Sequence, residues 1–137
     1  MQLNKALFTT SILASTGVNA LGINCRGNSN CGGTLCSLYD IQNIINGLSD
    51  TASYGPGEHI ACCGDIDGTG PGLCAFTQST SRSITGQEAK GLIAGLAGHN
   101  CKKCGSIPFQ DNNVAEGQLT VNVSTIHPTT LHLLNIV

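Results

Sequence analysis

The chain has 137 residues, one domain's worth, with only 10% charged side chains, no Trp and a formal charge of −2. Its basic residues form neither the stripe that a nucleic acid requires nor the cluster that anionic lipid attracts, so both partners are disfavoured. With so few aromatics, a fold of this size needs help from its eight cysteines.

Lys5 precedes an apolar run from Ala6 to Ala14, and Val18-Asn19-Ala20 places small residues where a signal peptidase inspects. This pattern is a secretory leader, residues 1–20, cleaved after Ala20. No later apolar stretch approaches the ~20 residues of a bilayer span, so a soluble, secreted, extracellular protein without direct membrane insertion is expected. Loss of Lys5 with the leader leaves five Lys and Arg against eight Asp and Glu, a charge of −3. Cys25, Cys31, Cys36, Cys62, Cys63, Cys74, Cys101 and Cys104 all remain. An even number behind a leader implies disulfides rather than thiols or metal ligands. Bridges closing long loops contribute about 3–5 kcal/mol each.

A short extended start over 21–25 leads into a Gly/Asn/Ser-rich loop. Leu35, Leu38, Ile41, Ile45 and Leu48 then recur at three- and four-residue steps, which predicts an amphipathic helix over 34–49 with those residues on its buried face. Tyr54-Gly55-Pro56-Gly57 breaks the chain. Residues 59–63 and 73–78 form a predicted hairpin around the glycine-rich segment 64–72. Thr85-Gly86-Gln87-Glu88 is a capping box, and the apolar stripe behind it predicts a second helix over 86–98. Strands over 104–109 and 117–124 complete the set; in the last, Leu119, Val121 and Val123 alternate with polar residues. Two helices on one face of an antiparallel sheet, an α+β sandwich, is the expected architecture. The apolar tail after Ser124 carries no legible structure.

Cys101-Lys102-Lys103-Cys104 has redox or zinc spacing, yet it follows a helix and lacks a matching second pair, so structural bridges are the better reading. Asp65 to Gly70 superficially resembles a calcium loop, but Thr69 and Phe76 stand where the fifth and twelfth ligands belong. No metal or other cofactor is expected. His59, His99, His127 and His132 do not cluster in sequence, and no nucleophile or acid–base pair stands out, which disfavours a small secreted hydrolase. Asn122-Val123-Ser124 is a glycosylation sequon on the solvent side of the predicted last strand.

The start Leu21-Gly22-Ile23-Asn24-Cys25-Arg26-Gly27, with Cys31 after it, resembles the opening of the killer toxins of smut fungi, a family of virus-encoded proteins and fungal relatives. Four further blocks match in order: Pro56-Gly57-Glu58; Gln78-Ser79-Thr80 leading to Ile84-Thr85-Gly86-Gln87-Glu88-Ala89; Cys101 to Ser106 with Pro108; and Gly117 to Asn122. The resemblance implies a disulfide-rich α/β sandwich, a five-stranded antiparallel sheet with two antiparallel helices on one face. It also implies the bridges Cys25–Cys101 and Cys31–Cys104. Cys62 and Cys63, adjacent in extended chain, point to opposite faces. One of them is expected to reach Cys36 and the other Cys74, in an order the sequence leaves open.

Functionally the resemblance implies a non-enzymatic, monomeric toxin that inhibits growth by blocking calcium entry through a membrane channel of the target cell. This chain departs from the family pattern. Ser83 and Lys90 stand at cysteine positions, and no Lys or Arg follows Pro56-Gly57-Glu58, where the family carries basic residues tied to activity. The two implied bridges would instead draw Arg26, Lys102 and Lys103 together, and these, with His59 after the turn, form the candidate contact surface. A secreted effector or wall-associated protein with a non-channel target is the alternative on the same scaffold.

Overall fold

The computed structural model describes residues 22–64 and 71–125. The leader, the loop compared with a calcium site, His127, His132 and the tail beyond residue 125 lie outside them. In chain order the elements are a 3-10 turn (Ser29–Gly33), α1 (Leu38–Asn46), β1 (Ser53–Tyr54), β2 (His59–Cys63), β3 (Pro71–Gln78), β4 (Ile84–Thr85), α2 (Gly86–Gly98), β5 (Gly105–Pro108), a second 3-10 turn (Val114–Glu116) and β6 (Gln118–Thr125).

The strands make an antiparallel four-stranded sheet in the order β2-β3-β6-β5 and a separate pair, β1 with β4. The five-stranded expectation is corrected in one respect. Of the extended start only Asn24 joins the sheet, exchanging both backbone hydrogen bonds with Ser106 on β5, at 2.9 and 2.8 Å. The β1–β4 pair has two residues per strand, too short to show alternation in the sequence.

Register decides what each face carries. Leu73 pairs with Val123, Ala75 with Val121 and Thr77 with Leu119. These residues form the face covered by α1, which lies over β2 and β3, and α2, which lies over β5 and β6. Leu38, Ile41 and Ile45 of α1, and Ala89, Ile93 and Leu96 of α2, close the core from the other side, each almost fully buried.

Helix α2 has the bounds its sequence implies. Its Thr85 hydroxyl accepts the Glu88 amide at 3.1 Å, and the Glu88 carboxylate accepts the Thr85 amide at 2.8 Å. Two further N-terminal amides, of Gly86 and Gln87, donate to the Ala52 and Asp50 carbonyls. That contact explains the glycine: a Cβ on Gly86 would lie 2.0 Å from the Ser49 carbonyl oxygen. Lys90, at a family cysteine position, reaches back to Asp50 at 2.6 Å and joins α2 to the same turn.

Helix α1 starts later than predicted. Ser37 and Asp40 form a second capping box, with Asp40 accepting the Ser37 amide at 2.8 Å and its hydroxyl at 2.7 Å. Leu35 therefore falls outside the helix and is 95% exposed rather than on the buried face.

Both capping carboxyls sit below their ordinary range. Asp40 is held down by hydrogen bonds from the Ser37 hydroxyl and amide, Glu88 by the Thr85 amide and then by Arg82. A carboxyl whose pKa is lower folded than unfolded stabilises the fold at neutral pH and loses that contribution as pH falls through the folded value. Acid should therefore lower the thermal midpoint from below about pH 4.5, as the unfolded chain begins to take up protons, and continue to do so below pH 3.8. Circular dichroism melts across that range check this. In a Glu88→Gln variant the acid-induced drop should shrink.

The four bridges are Cys25–Cys101, Cys31–Cys104, Cys36–Cys63 and Cys62–Cys74. The first two are the pairs the resemblance implies, and register resolves the others. Cys62 stands directly opposite Cys74 on the face away from the helices. Cys63 stands opposite Leu73, on the face toward α1, and so meets Cys36 just before that helix.

Candidate functional site: a cationic groove beside the Cys25–Cys101 bridge

Between α2 and β5 the chain makes a tight turn. The last helical residues are followed by Asn100 with a left-handed backbone, φ 69°. Residues 101–104 are tied to the extended start by Cys25–Cys101 and to the first 3-10 turn by Cys31–Cys104. An open groove of about 650 Å³ lies along this seam, and Arg26, Lys102 and Lys103 all line it. Three of the four residues expected at the contact surface thus lie together. His59 does not join them. It lies on β2, the opposite edge of the sheet from β5, where its Nε2 is 3.2 Å from Ser124 Oγ and its ring 5.8 Å from Phe76.

The three cations are not equivalent. Lys103 is half-buried, and its ammonium donates to the carbonyls of Thr34 and Cys36, the latter at 2.7 Å. It fastens the approach to α1. Lys102 is exposed, and its ammonium donates to a neutral partner, Asn100 Oδ1, at 2.7 Å. Arg26 is exposed as well. The other two basic residues of the described chain, Arg82 and Lys90, are each in an ion pair with a carboxylate. Among the described residues no carboxylate lines the groove. Positive charge in an acidic chain is thereby concentrated at one place.

The groove's floor is held by Asn122. Its Oδ1 accepts the Asn28 amide at 2.9 Å across the sheet face, next to the Cys31–Cys104 sulfurs. A Cβ on Gly27 would meet Cys104 at 2.4 Å and Asn122 at 3.1 Å, so only glycine lets the loop lie this close. The sequon asparagine is accordingly a structural side chain beneath a loop, half-buried rather than facing open solvent. Secreted folded protein is expected to carry no glycan there, checked by intact mass. Asn122→Ala should destabilise by about 0.5–1.5 kcal/mol through loss of the bond to the Asn28 amide.

His59, Cys62 and Cys74 bring possible ligand atoms within 4.8 Å of one another. Both sulfurs are consumed in the Cys62–Cys74 bridge, so neither is a thiolate available to a metal.

Sequence reasoning missed Leu35 and Tyr39, exposed by 95% and 68%. Tyr39, with Gln42 and Ala97, lines a second groove of about 370 Å³ that shares Lys102 and Lys103 with the first. A signal was present: Ser37 followed three residues later by Asp40 marks a helix start that leaves Leu35 outside.

A small α+β domain stapled by four bridges, with three of its five described Lys and Arg residues along one groove, is a disulfide-rich α+β scaffold. The Kp4 family model matches residues 7–125. The chain is 39% identical over 112 residues to the KP4 killer toxin of Ustilago maydis P4 virus, covering 77% of this chain and 81% of that toxin. The chain belongs to the Kp4 killer-toxin family and is killer-toxin-like.

Proposed function

We propose that the mature protein is secreted and inhibits the growth of target cells by binding a membrane channel that admits calcium, without covalent chemistry. Membership of the Kp4 family carries this reading. It is supported by the groove lined by Arg26, Lys102 and Lys103, which offers a rigid cationic rim to the carboxylates of a cation pathway. Among the described residues no helix is long and apolar enough to cross a membrane, which favours action from outside over pore formation by a helix. Calcium influx into fungal and plant cells, with and without the purified oxidised protein, tests it. Reduced influx, with growth inhibition relieved by added calcium, is the expected result; unchanged influx from fully bridged protein overturns it.

A second reading, an effector or wall-associated protein with another target, is favoured by the turn after β1. The Glu58 amide donates to the Gly55 carbonyl at 3.1 Å, and the next residue, His59, enters the sheet. No cation projects where the family's activity-linked basic residues lie. Recovery of a wall or soluble partner, with calcium entry unaffected, would select this reading.

A further inference from the structure

We propose that Leu35 and Tyr39 are the apolar anchors of a docking face whose cationic rim is Arg26 and Lys102, and that its occupant is an acidic protein surface with an apolar socket. The inference rests on the reading of this chain as a target-binding toxin and names the contacts and the chemistry of the partner.

A single exposed leucine on a protein surface means nothing by itself. Here the backbone that carries it is unusually constrained. Thr34 Oγ1 is 3.0 Å from the Cys31 carbonyl and 3.1 Å from the Cys36 carbonyl. The Lys103 ammonium binds the carbonyls on both sides of Leu35, those of Thr34 and Cys36. Cys31 and Cys36 are each tied to a distant strand or turn, through Cys104 and Cys63. All these constraints hold the backbone in place while the Leu35 side chain stays 95% exposed. A side chain presented from a fixed loop loses little conformational entropy on binding, which is the condition for an anchor.

Four residues on, Tyr39 emerges from the first turn of α1, 68% exposed, over the groove it shares with Lys102. Leu35 and Tyr39 are the large hydrophobic residues that the described surface leaves exposed; they stand four positions apart, and Lys103, which lines both grooves, bonds the carbonyls on either side of Leu35. Tyrosine and arginine are enriched among residues that dominate binding energy. The charge selects the partner: among the described residues Arg26 and Lys102 are exposed and form no ion pair, and neither groove has an acidic lining residue. An anionic membrane is a poorer fit. Two cations add about 1 kcal/mol each at such a surface, and the rest of the chain is acidic.

The test measures binding of fluorescently labelled, oxidised protein to sensitive fungal cells, before and after surface proteolysis, alongside calcium influx. The same protein is titrated onto phosphatidylcholine vesicles with and without phosphatidylserine. Leu35→Ser with Tyr39→Ser should weaken cell binding at least tenfold with an unchanged thermal midpoint. Ala94→Ser, on the exposed face of α2, should have no effect. Undiminished binding by the double variant overturns the docking face whatever the calcium traces show. So do binding that survives proteolysis, equal binding to phosphatidylserine vesicles, or self-association in solution that the double variant abolishes. Binding lost in the double variant while wild-type protein leaves calcium entry untouched keeps the docking face and overturns the channel reading.

Discussion

Replacing both the Cys25–Cys101 and the Cys31–Cys104 pairs by alanine is expected to cost at least about 4.5 kcal/mol, a large part of the stability of a domain this size. The reason lies in the unfolded chain. These bridges join residues 76 and 73 apart and close nearly the same loop, so only without both does the denatured ensemble recover the freedom of a long loop. The same exchange at Cys62 and Cys74, only 12 apart, should cost about 3 kcal/mol. Denaturant unfolding of the two variants, read as midpoint and slope together, checks the ranking. Equal losses would mean that native contacts, not loop closure, govern what each bridge contributes. Loss of the Cys25–Cys101 bridge has a local consequence too. Arg26 follows Cys25 directly, and the Asn24 pairing with Ser106 then holds the start of the chain by two backbone hydrogen bonds at a sheet edge. The groove should loosen before the core does.

Charge reversal separates the two kinds of lysine in the groove. Arg26→Glu with Lys102→Glu should reduce growth inhibition at least tenfold while moving stability by less than about 0.5 kcal/mol, because both side chains are exposed. Lys103→Met should do the opposite. It removes a charged donor from the Thr34 and Cys36 carbonyls, with an expected loss of about 2 kcal/mol. Paired measurements of thermal midpoint and dose response distinguish these outcomes. A double reversal that kills as well as wild type would exclude the groove as the contact surface. Added salt should mimic the reversal in part, since exposed charges are screened within about 10 Å at 0.1 M.

The legibility of the fold varied with the range of the interactions behind each element. Helix α2 could be bounded to the residue because its capping box, Thr85 to Glu88, is a contact between positions three apart. Helix α1 carried an equally local marker in Ser37 and Asp40. The apolar spacing of Leu35 with Leu38 pointed further upstream, and spacing alone cannot tell a buried leucine from an exposed one. The β2–β3 hairpin was legible because its strands are neighbours in the chain. The β1–β4 pair was not, since Ser53 and Thr85 are brought together by the packing of α2 on the turn after α1.

The sequence alone determined that this protein is a disulfide-stapled α+β domain of a recognisable family, because cysteine count, helix periodicity and block order are properties of residues near one another. Tertiary structure decided which of two adjacent cysteines meets Cys36. It also set His59 apart from the cations and divided Lys102 from Lys103, one exposed beside Asn100 and one bonded to backbone carbonyls. Each of these depends on strand register or on a carbonyl that lies tens of residues away in the chain, and no pattern within a local window encodes such a distance.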